Sequence, residues 1–215
     1  MSQLLLEQIS AALQKGKSKD IKLLVQQAID EGVSAETILN DGLMAGMNII
    51  GAKFKRDEVF VPEVLIAGRA MNIGTAMLKP LLVSDGVEKV GKVVIGTVKG
   101  DMHDIGKNLV RMMIEAKGFE VIDLGVDVPA DAFLKAAQEL QVDIVCLSAL
   151  LTTTMNEMRN VVEAFEKAGR RQDFKIMIGG APVTQNFCTI IGADVYTPDA
   201  STAADAAFAL VAKAA

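Results

Sequence analysis

Apolar residues recur at helical spacing through the first part of the chain, as in Leu5, Ile9 and Leu13 and again in Ile21, Leu24, Val25, Ala28 and Ile29. No alternating, strand-like run interrupts them. Gly16, Gly32 and the charged cluster from Lys55 to Glu58 punctuate the pattern, which predicts helices over 2–15, 18–31, 35–53 and 62–84. Pro62 suits the first turn of the last helix, where its missing N–H costs nothing. Short connections between such helices predict a small antiparallel bundle.

After the polar break Val83-Ser84-Asp85-Gly86-Val87 the pattern changes to compact β-branched runs separated by helical stretches. The boundary is expected near 87, giving a helical domain over 1–87 and a second domain over 88–215. Val93-Val94-Ile95-Gly96-Thr97-Val98 reads as a buried strand, and further strands are expected at 120–124, 142–147, 174–178 and 194–196. Helices are expected at 105–117, 131–140, 155–168, 184–191 and 201–213. Strict alternation with continuously apolar strands predicts the α/β class, a doubly wound parallel sheet covered on both faces. Five strands suggest the flavodoxin-like (Rossmann-like) order 2-1-3-4-5, with ligands at the carboxyl ends of the strands.

Charge narrows the partners. Lys plus Arg number 22 against 27 Asp plus Glu, a net charge of −5, so the basic footprint of a nucleic-acid binder is missing. Trp is absent and aromatics make up 4 %, which removes stacking platforms as well. No apolar run approaches the roughly 20 residues of a membrane-spanning helix, and the start Met1-Ser2-Gln3-Leu4-Leu5-Leu6-Glu7 carries no secretory pattern, so a soluble, cytoplasmic protein is expected. Cys146 and Cys188 sit among apolar residues and read as small buried hydrophobes. The eleven methionines fall at helical core positions and read as core filling.

The candidate chemistry follows the first strand, in Lys99-Gly100-Asp101-Met102-His103-Asp104-Ile105-Gly106-Lys107-Asn108. His103 is the only histidine in the chain, and it falls where such sheets bind ligands. A plain capping loop is the competing reading, with Asp101 or Asp104 as N-cap of the helix near 105. A phosphate loop fits poorly, because neither glycine signature is present and two Asp residues flank His103. A zinc or di-iron site fits poorly too, since His103 has no partner His and neither Cys is near it in sequence.

Downstream context decides between these readings. Ser148-Ala149-Leu150 follows the third strand, with 41 residues between Gly106 and Ser148, and Gly179-Gly180 follows the fourth, with 28 residues between Leu150 and Gly179. Asp-x-His-x-x-Gly, Ser-x-Leu and Gly-Gly at these separations resemble the cobalamin-binding signature of methionine synthase, corrinoid methyltransferase proteins and some B12-dependent mutases. Within that group, Gly46-Met47-Asn48-Ile49-Ile50-Gly51-Ala52-Lys53-Phe54, Phe60-Val61-Pro62-Glu63-Val64 and Ala67-Gly68-Arg69-Ala70-Met71 are similar to the cap module of methyl-carrying corrinoid proteins. The resemblance covers nearly the whole chain and is strongest to the small two-domain corrinoid proteins that serve methylamine, methanol, betaine or methoxyaromatic methyltransferases.

The resemblance implies that His103 binds cobalt from the lower face, displacing the cofactor's dimethylbenzimidazole (base-off, His-on), with Asp101 fixing the imidazole tautomer and Thr154 extending the hydrogen-bond chain. An ordinary helix-start role for Thr154 stands beside that reading. It places Gly100, Met102, Asp104 and Gly106 against the cofactor and Ser148, Leu150 and Thr152 around the buried benzimidazole. Gly179, Gly180 and Ala200 fall beside the nucleotide tail, although a strand-to-loop turn is a competing account of the glycines. Phe54, Val61 and Val64 correspond to the apolar cover over the methyl face, with a plain helix-core role as the alternative.

The implied activity is methyl shuttling by a non-autonomous subunit: Co(I) takes a methyl group from substrate, and methyl-Co(III) gives it to an acceptor. The implied partners are a substrate-specific methyltransferase, a thiol or tetrahydropterin acceptor methyltransferase and a reductive activation protein, with no nucleic acid or membrane. Domain motion about the 80–90 linker is expected to expose the upper face. A cobalamin-binding sensory module is the alternative, and a nucleotide-binding flavodoxin-like protein would leave the spaced motifs unexplained.

Overall fold

The computed structural model describes residues 2–84 and 89–212. The chain divides into two compact units, Met1–Glu88 and Lys89–Ala215. The boundary expected near 87 lies outside the described residues, as does position 213 of the last expected helix.

Every secondary-structure element among the first unit's described residues is helical: α1 (Ser2–Gln14), α2 (Ser18–Asp30), α3 (Ala35–Thr37), a π-helical stretch over Ile38–Met44, α4 (Ala45–Lys55) and α5 (Val61–Ser84). Ser34 caps α3 by accepting a hydrogen bond from the Thr37 N–H. Ile9 and Leu13 of α1, Ile21 and Val25 of α2, and Ile38, Leu43, Met47, Ile50 and Leu78 are essentially inaccessible to solvent. One expectation needs correction. The helix expected over 35–53 runs to Lys55 and is wound as a π-helix at 38–44, where Asn40-Asp41-Gly42 puts three weak α-helix formers in succession. The last helix ends at Ser84, as expected, so residues 80–84 of the proposed hinge segment are helical and 85–88 lie outside the described residues.

The second unit alternates β1 (Lys92–Thr97), α6 (Ile105–Glu115), β2 (Glu120–Asp123), α7 (Ala130–Leu140), β3 (Ile144–Ser148), α8 (Met155–Lys167), β4 (Lys175–Gly179), α9 (Gln185–Ile191), β5 (Val195–Tyr196) and α10 (Ala200–Ala212), with a 3-10 turn at Arg171–Asp173. All sheet pairings are parallel and the strand order is β2-β1-β3-β4-β5, the doubly wound order expected. Successive strand residues point to opposite faces. Val94, Val145, Leu147, Ile176 and Ile178 join Phe133 of α7 and Val161, Val162 and Phe165 of α8 in one core. Val93, Ile95, Cys146 and Met177 alternate with them and are equally buried, while α6 packs against α10. Both cysteines are free and buried, and burial pushes the Cys146 thiol up to about 12, so it behaves as an apolar filler.

Register sets up the site. Thr97, Ser148 and Gly179 are paired side by side at the carboxyl ends of the three central strands. The loops that leave these strands therefore emerge on one edge, with the β1 loop flanked by those following β2 and β3.

Candidate functional site

The β1–α6 loop carries His103 and Asp101. The Asp101 side chain is fully buried, whereas about half of the His103 side chain remains accessible. One Asp101 oxygen accepts from the His103 backbone N–H at 3.1 Å and lies 2.9 Å from His103 Nδ1. Its other oxygen accepts from the N–H of Leu150 at 2.7 Å, the N–H of Leu151 at 3.3 Å and the Thr154 hydroxyl at 2.9 Å. Burial alone would raise the Asp101 pKa. The amides of Leu150 and His103, the His103 ring and the Thr154 hydroxyl outweigh it and hold the carboxyl well below the usual carboxylate range.

An ionised Asp101 can only accept, so the shared proton belongs on Nδ1 and the lone pair of a neutral ring falls on Nε2. No hydrogen-bond partner for Nε2 is found among the described residues. The loop bearing Leu150, Leu151 and Thr154 is thus drawn to Asp101 by three donors, which ties the ends of β1 and β3 together. Thr154 stands at the N-cap position of α8 without capping it. Its hydroxyl lies within reach of Asp101 and of the Leu151 carbonyl, so the helix-start reading is replaced by one that joins it to Asp101.

Neither acidic residue caps α6. Asp104 occupies the N-cap position without a side-chain bond to the helix amides and accepts instead from the Asn108 side chain at 3.1 Å. Asp101 is already occupied by His103 and the β3 loop. The capping-loop account of this segment fails for that reason.

The remaining candidates fall into three groups. Met102, Asp104 and Gly106 are exposed around His103, and a Cβ built on Gly106 would meet nothing within 4 Å. Exposed Ile105, Leu150 and Leu151 add apolar surface to the same edge, with Thr152 exposed beside them. Toward the other side of the edge, Ser148 and Gly179 are half-buried, Gly180 is exposed and Ala200 is buried at the start of α10. Gly100 has φ +78° and Gly180 φ +137°, both conformations that favour glycine. A Cβ on Gly180 would lie 1.8 Å from the Ala149 carbonyl oxygen, so packing of the β4 loop on the β3 loop itself requires glycine there. Phe54, Val61 and Val64 belong to the helical unit, with Val64 fully buried and the other two half-buried.

Two residues absent from the sequence reading also hold the histidine loop. Thr97 is fully buried and donates its hydroxyl to the His103 carbonyl at 2.8 Å. Asp127 accepts from the Gly100 N–H at 2.7 Å. A hydroxyl ending an otherwise apolar strand was the available signal for Thr97. Asp127 offered none, because it is remote in sequence and acts on backbone.

The donor set suits a metal that brings its other ligands with it. His103 offers one imidazole nitrogen, and among the described residues no group of three or more His, Cys, Asp or Glu side chains converges on a metal position. A flat apolar macrocycle fits such an edge: one nitrogen projects from a surface of Met102, Ile105, Leu150 and Leu151, and the open position at Gly106 leaves room beside it.

The fold and site together define a Rossmann-like binding domain that presents a single buttressed imidazole at the carboxyl edge of its sheet. Residues 91–208 match the B12 binding domain family, and residues 5–79 match a second family of the same description. The chain belongs to the corrinoid proteins built from these B12 binding domains. It is 37 % identical to a corrinoid protein of Desulfitobacterium hafniense (strain Y51), covering 97 % of this chain and 98 % of the other. It is 42 % identical to dimethylamine corrinoid protein 3 of Methanosarcina acetivorans, covering 93 % of each. Among solved structures, it aligns with that of the methanol:cobalamin methyltransferase complex of Methanosarcina barkeri at a TM-score of 0.86 and 32 % identity, over 97 % of this chain and 80 % of the other. A cobalamin-binding protein of Desulfitobacterium hafniense DCB-2 aligns at 0.80 and 34 %, over 95 % and 98 %.

Proposed function

We propose that this protein is a corrinoid methyl carrier, a subunit that receives a methyl group in one methyltransferase and delivers it to a thiol or tetrahydropterin acceptor in another. The observation that carries this reading is the His103 ring, held at Nδ1 by a buried, ionised Asp101 and with no partner for Nε2 among the described residues. When bound, the corrinoid supplies a cobalt that takes up a methyl group in its Co(I) state and releases it to the acceptor. His103 would hold the cobalt through Nε2, in place of the cofactor's dimethylbenzimidazole. Asp101 keeps the proton on Nδ1 and orients the ring, and Thr154 with the Leu150 and Leu151 amides keeps Asp101 ionised.

Met102, Ile105, Leu150 and Leu151 supply apolar contact to the macrocycle, while Ser148, Thr152, Gly179, Gly180 and Ala200 receive the displaced nucleotide tail. The names of the methylamine relatives and of the methanol:cobalamin methyltransferase complex support a substrate-specific methyltransferase as partner. An acceptor methyltransferase and a reductive activation protein complete the cycle. The test is turnover of the bound methyl group. Reduced holoprotein given methyl iodide is expected to develop the absorbance of the methylated cofactor, and to lose it on addition of an acceptor methyltransferase and its thiol or tetrahydropterin. A methylated holoprotein that no acceptor methyltransferase from the same genome demethylates contradicts the carrier reading and favours the sensory one.

A further inference from the structure

The carboxylate of Asp101 is held by the loop after β3, and its backbone is held from the opposite side by a single residue of the loop after β2. Asp127 accepts from the Gly100 N–H through its side chain at 2.7 Å and donates its own N–H to the Asp101 carbonyl at 3.0 Å. It therefore grips the peptide groups on both sides of the Gly100–Asp101 step. Gly100 is in the left-handed region, so this step has no regular secondary structure of its own to keep it in place. A parallel bridge between Val98 and Val128 brings the two loops together, and the Asp101 N–H is spent on the Val98 carbonyl at 3.1 Å.

Asp127 is itself left-handed, with φ +55°, a conformation costly for residues with a Cβ but most tolerable for Asp and Asn. The chain accepts that cost at an exposed position where a glycine would remove it, and a glycine would also remove the oxygen that bonds Gly100.

We propose that Asp127 is a positioning residue for the axial histidine: by clamping Gly100 and Asp101 it fixes where Asp101 meets His103, and so where Nε2 points. This rests on the reading of His103 as the cobalt ligand. It assigns the β1 loop a fastening on each side, Asp127 from β2 and the Leu150–Thr154 segment from β3, which the central place of β1 between those strands permits.

Three substitutions separate the hydrogen bond from backbone strain. Asp127→Asn keeps an acceptor oxygen and tolerates the left-handed backbone. Asp127→Gly relieves the strain and loses the acceptor, and Asp127→Ala loses the acceptor without relieving strain. Full-length variants are titrated with hydroxocobalamin by absorbance. The Co(II) form, made with nitrogen-15 histidine, is examined by electron paramagnetic resonance, and thermal midpoints of the apoproteins are compared. The expected result is that Asp127→Asn matches wild type, whereas Asp127→Gly keeps its thermal midpoint, binds about 10-fold or more weakly and shows a reduced fraction of cobalt carrying the histidine nitrogen. Asp127→Ala should show the same ligation defect with a lowered midpoint, and it supplies the answer if the glycine variant does not fold. Wild-type affinity and full histidine coordination in Asp127→Gly and Asp127→Ala would overturn the proposal. Wild-type protein whose Co(II) carries no histidine nitrogen would overturn the ligand assignment beneath it, whatever the variants do.

Discussion

At the scale of single residues, the candidate site depends on Asp101 being buried, ionised and an acceptor at both oxygens. Asp101→Asn places an NH2 group against at least one set of donors. The expected cost is about 1–3 kcal/mol of stability, read from urea midpoints, together with a roughly 10- to 100-fold loss of cobalamin affinity, read by titration. Unchanged affinity would show that the ring needs no such orientation. Gly180→Ala tests the packing of the β4 loop instead. A methyl group there meets the Ala149 carbonyl in a backbone conformation foreign to alanine, so unfolding free energy should fall by about 1–3 kcal/mol or more. His103 and Asp101 were legible in the sequence because their chemistry lies in side chains two positions apart. Thr97 and Asp127 were not, since each acts by bonding main-chain groups that any residue carries.

At the scale of elements, alternation of β-branched runs with amphipathic stretches was enough to place every strand and the sheet order, because the three central strands are buried on both faces and the edge strands β2 and β5 are short, half-buried runs between helices. Winding was not legible: the apolar spacing of residues 35–53 fits an α-helix, and the π stretch at Ile38–Met44 leaves Ile38 and Leu43 buried as an α-helix would. The junction of α6 with β2 carries a feature that sequence spacing could not pair. Lys107 is 2 % exposed and bridges Asp123, which Arg111 also meets at 3.1 Å. Burial would raise the Asp123 pKa, but the Lys107 ammonium, the Gly125 amide and the Arg111 charge lower it overall. The folded pKa thus lies below the unfolded value of about 3.9, so the pair's stabilisation is complete above that value and is lost as pH falls through the folded pKa. Asp123→Asn leaves the buried Lys107 ammonium without its carboxylate, although Asn108 still accepts from it, and is expected to cost about 3 kcal/mol at neutral pH. It should also flatten the decline in unfolding free energy below about pH 4. Equal acid slopes in variant and wild type would contradict this account of the pair.

At the scale of the whole molecule, two compact units match two B12 binding domain families, and the charged and polar groups that hold His103 all belong to the second. Residues 89–215 expressed alone are therefore expected to bind hydroxocobalamin. A folded fragment that fails to bind would place essential contacts in the helical unit. The resemblance that pointed to corrinoid proteins rested on three short motifs brought to one sheet edge by register, and their separation in sequence was set by intervening helices. Methyl donor and acceptor left no comparable trace, because on this account they meet the partner enzymes. The central claim is that His103 is the lower ligand of cobalamin bound base-off. Its most direct test is electron paramagnetic resonance of the Co(II) holoprotein with and without nitrogen-15 histidine. The account predicts superhyperfine splitting from one nitrogen that changes on isotope substitution and vanishes in His103→Ala; splitting that is indifferent to the label, as from dimethylbenzimidazole, would contradict it.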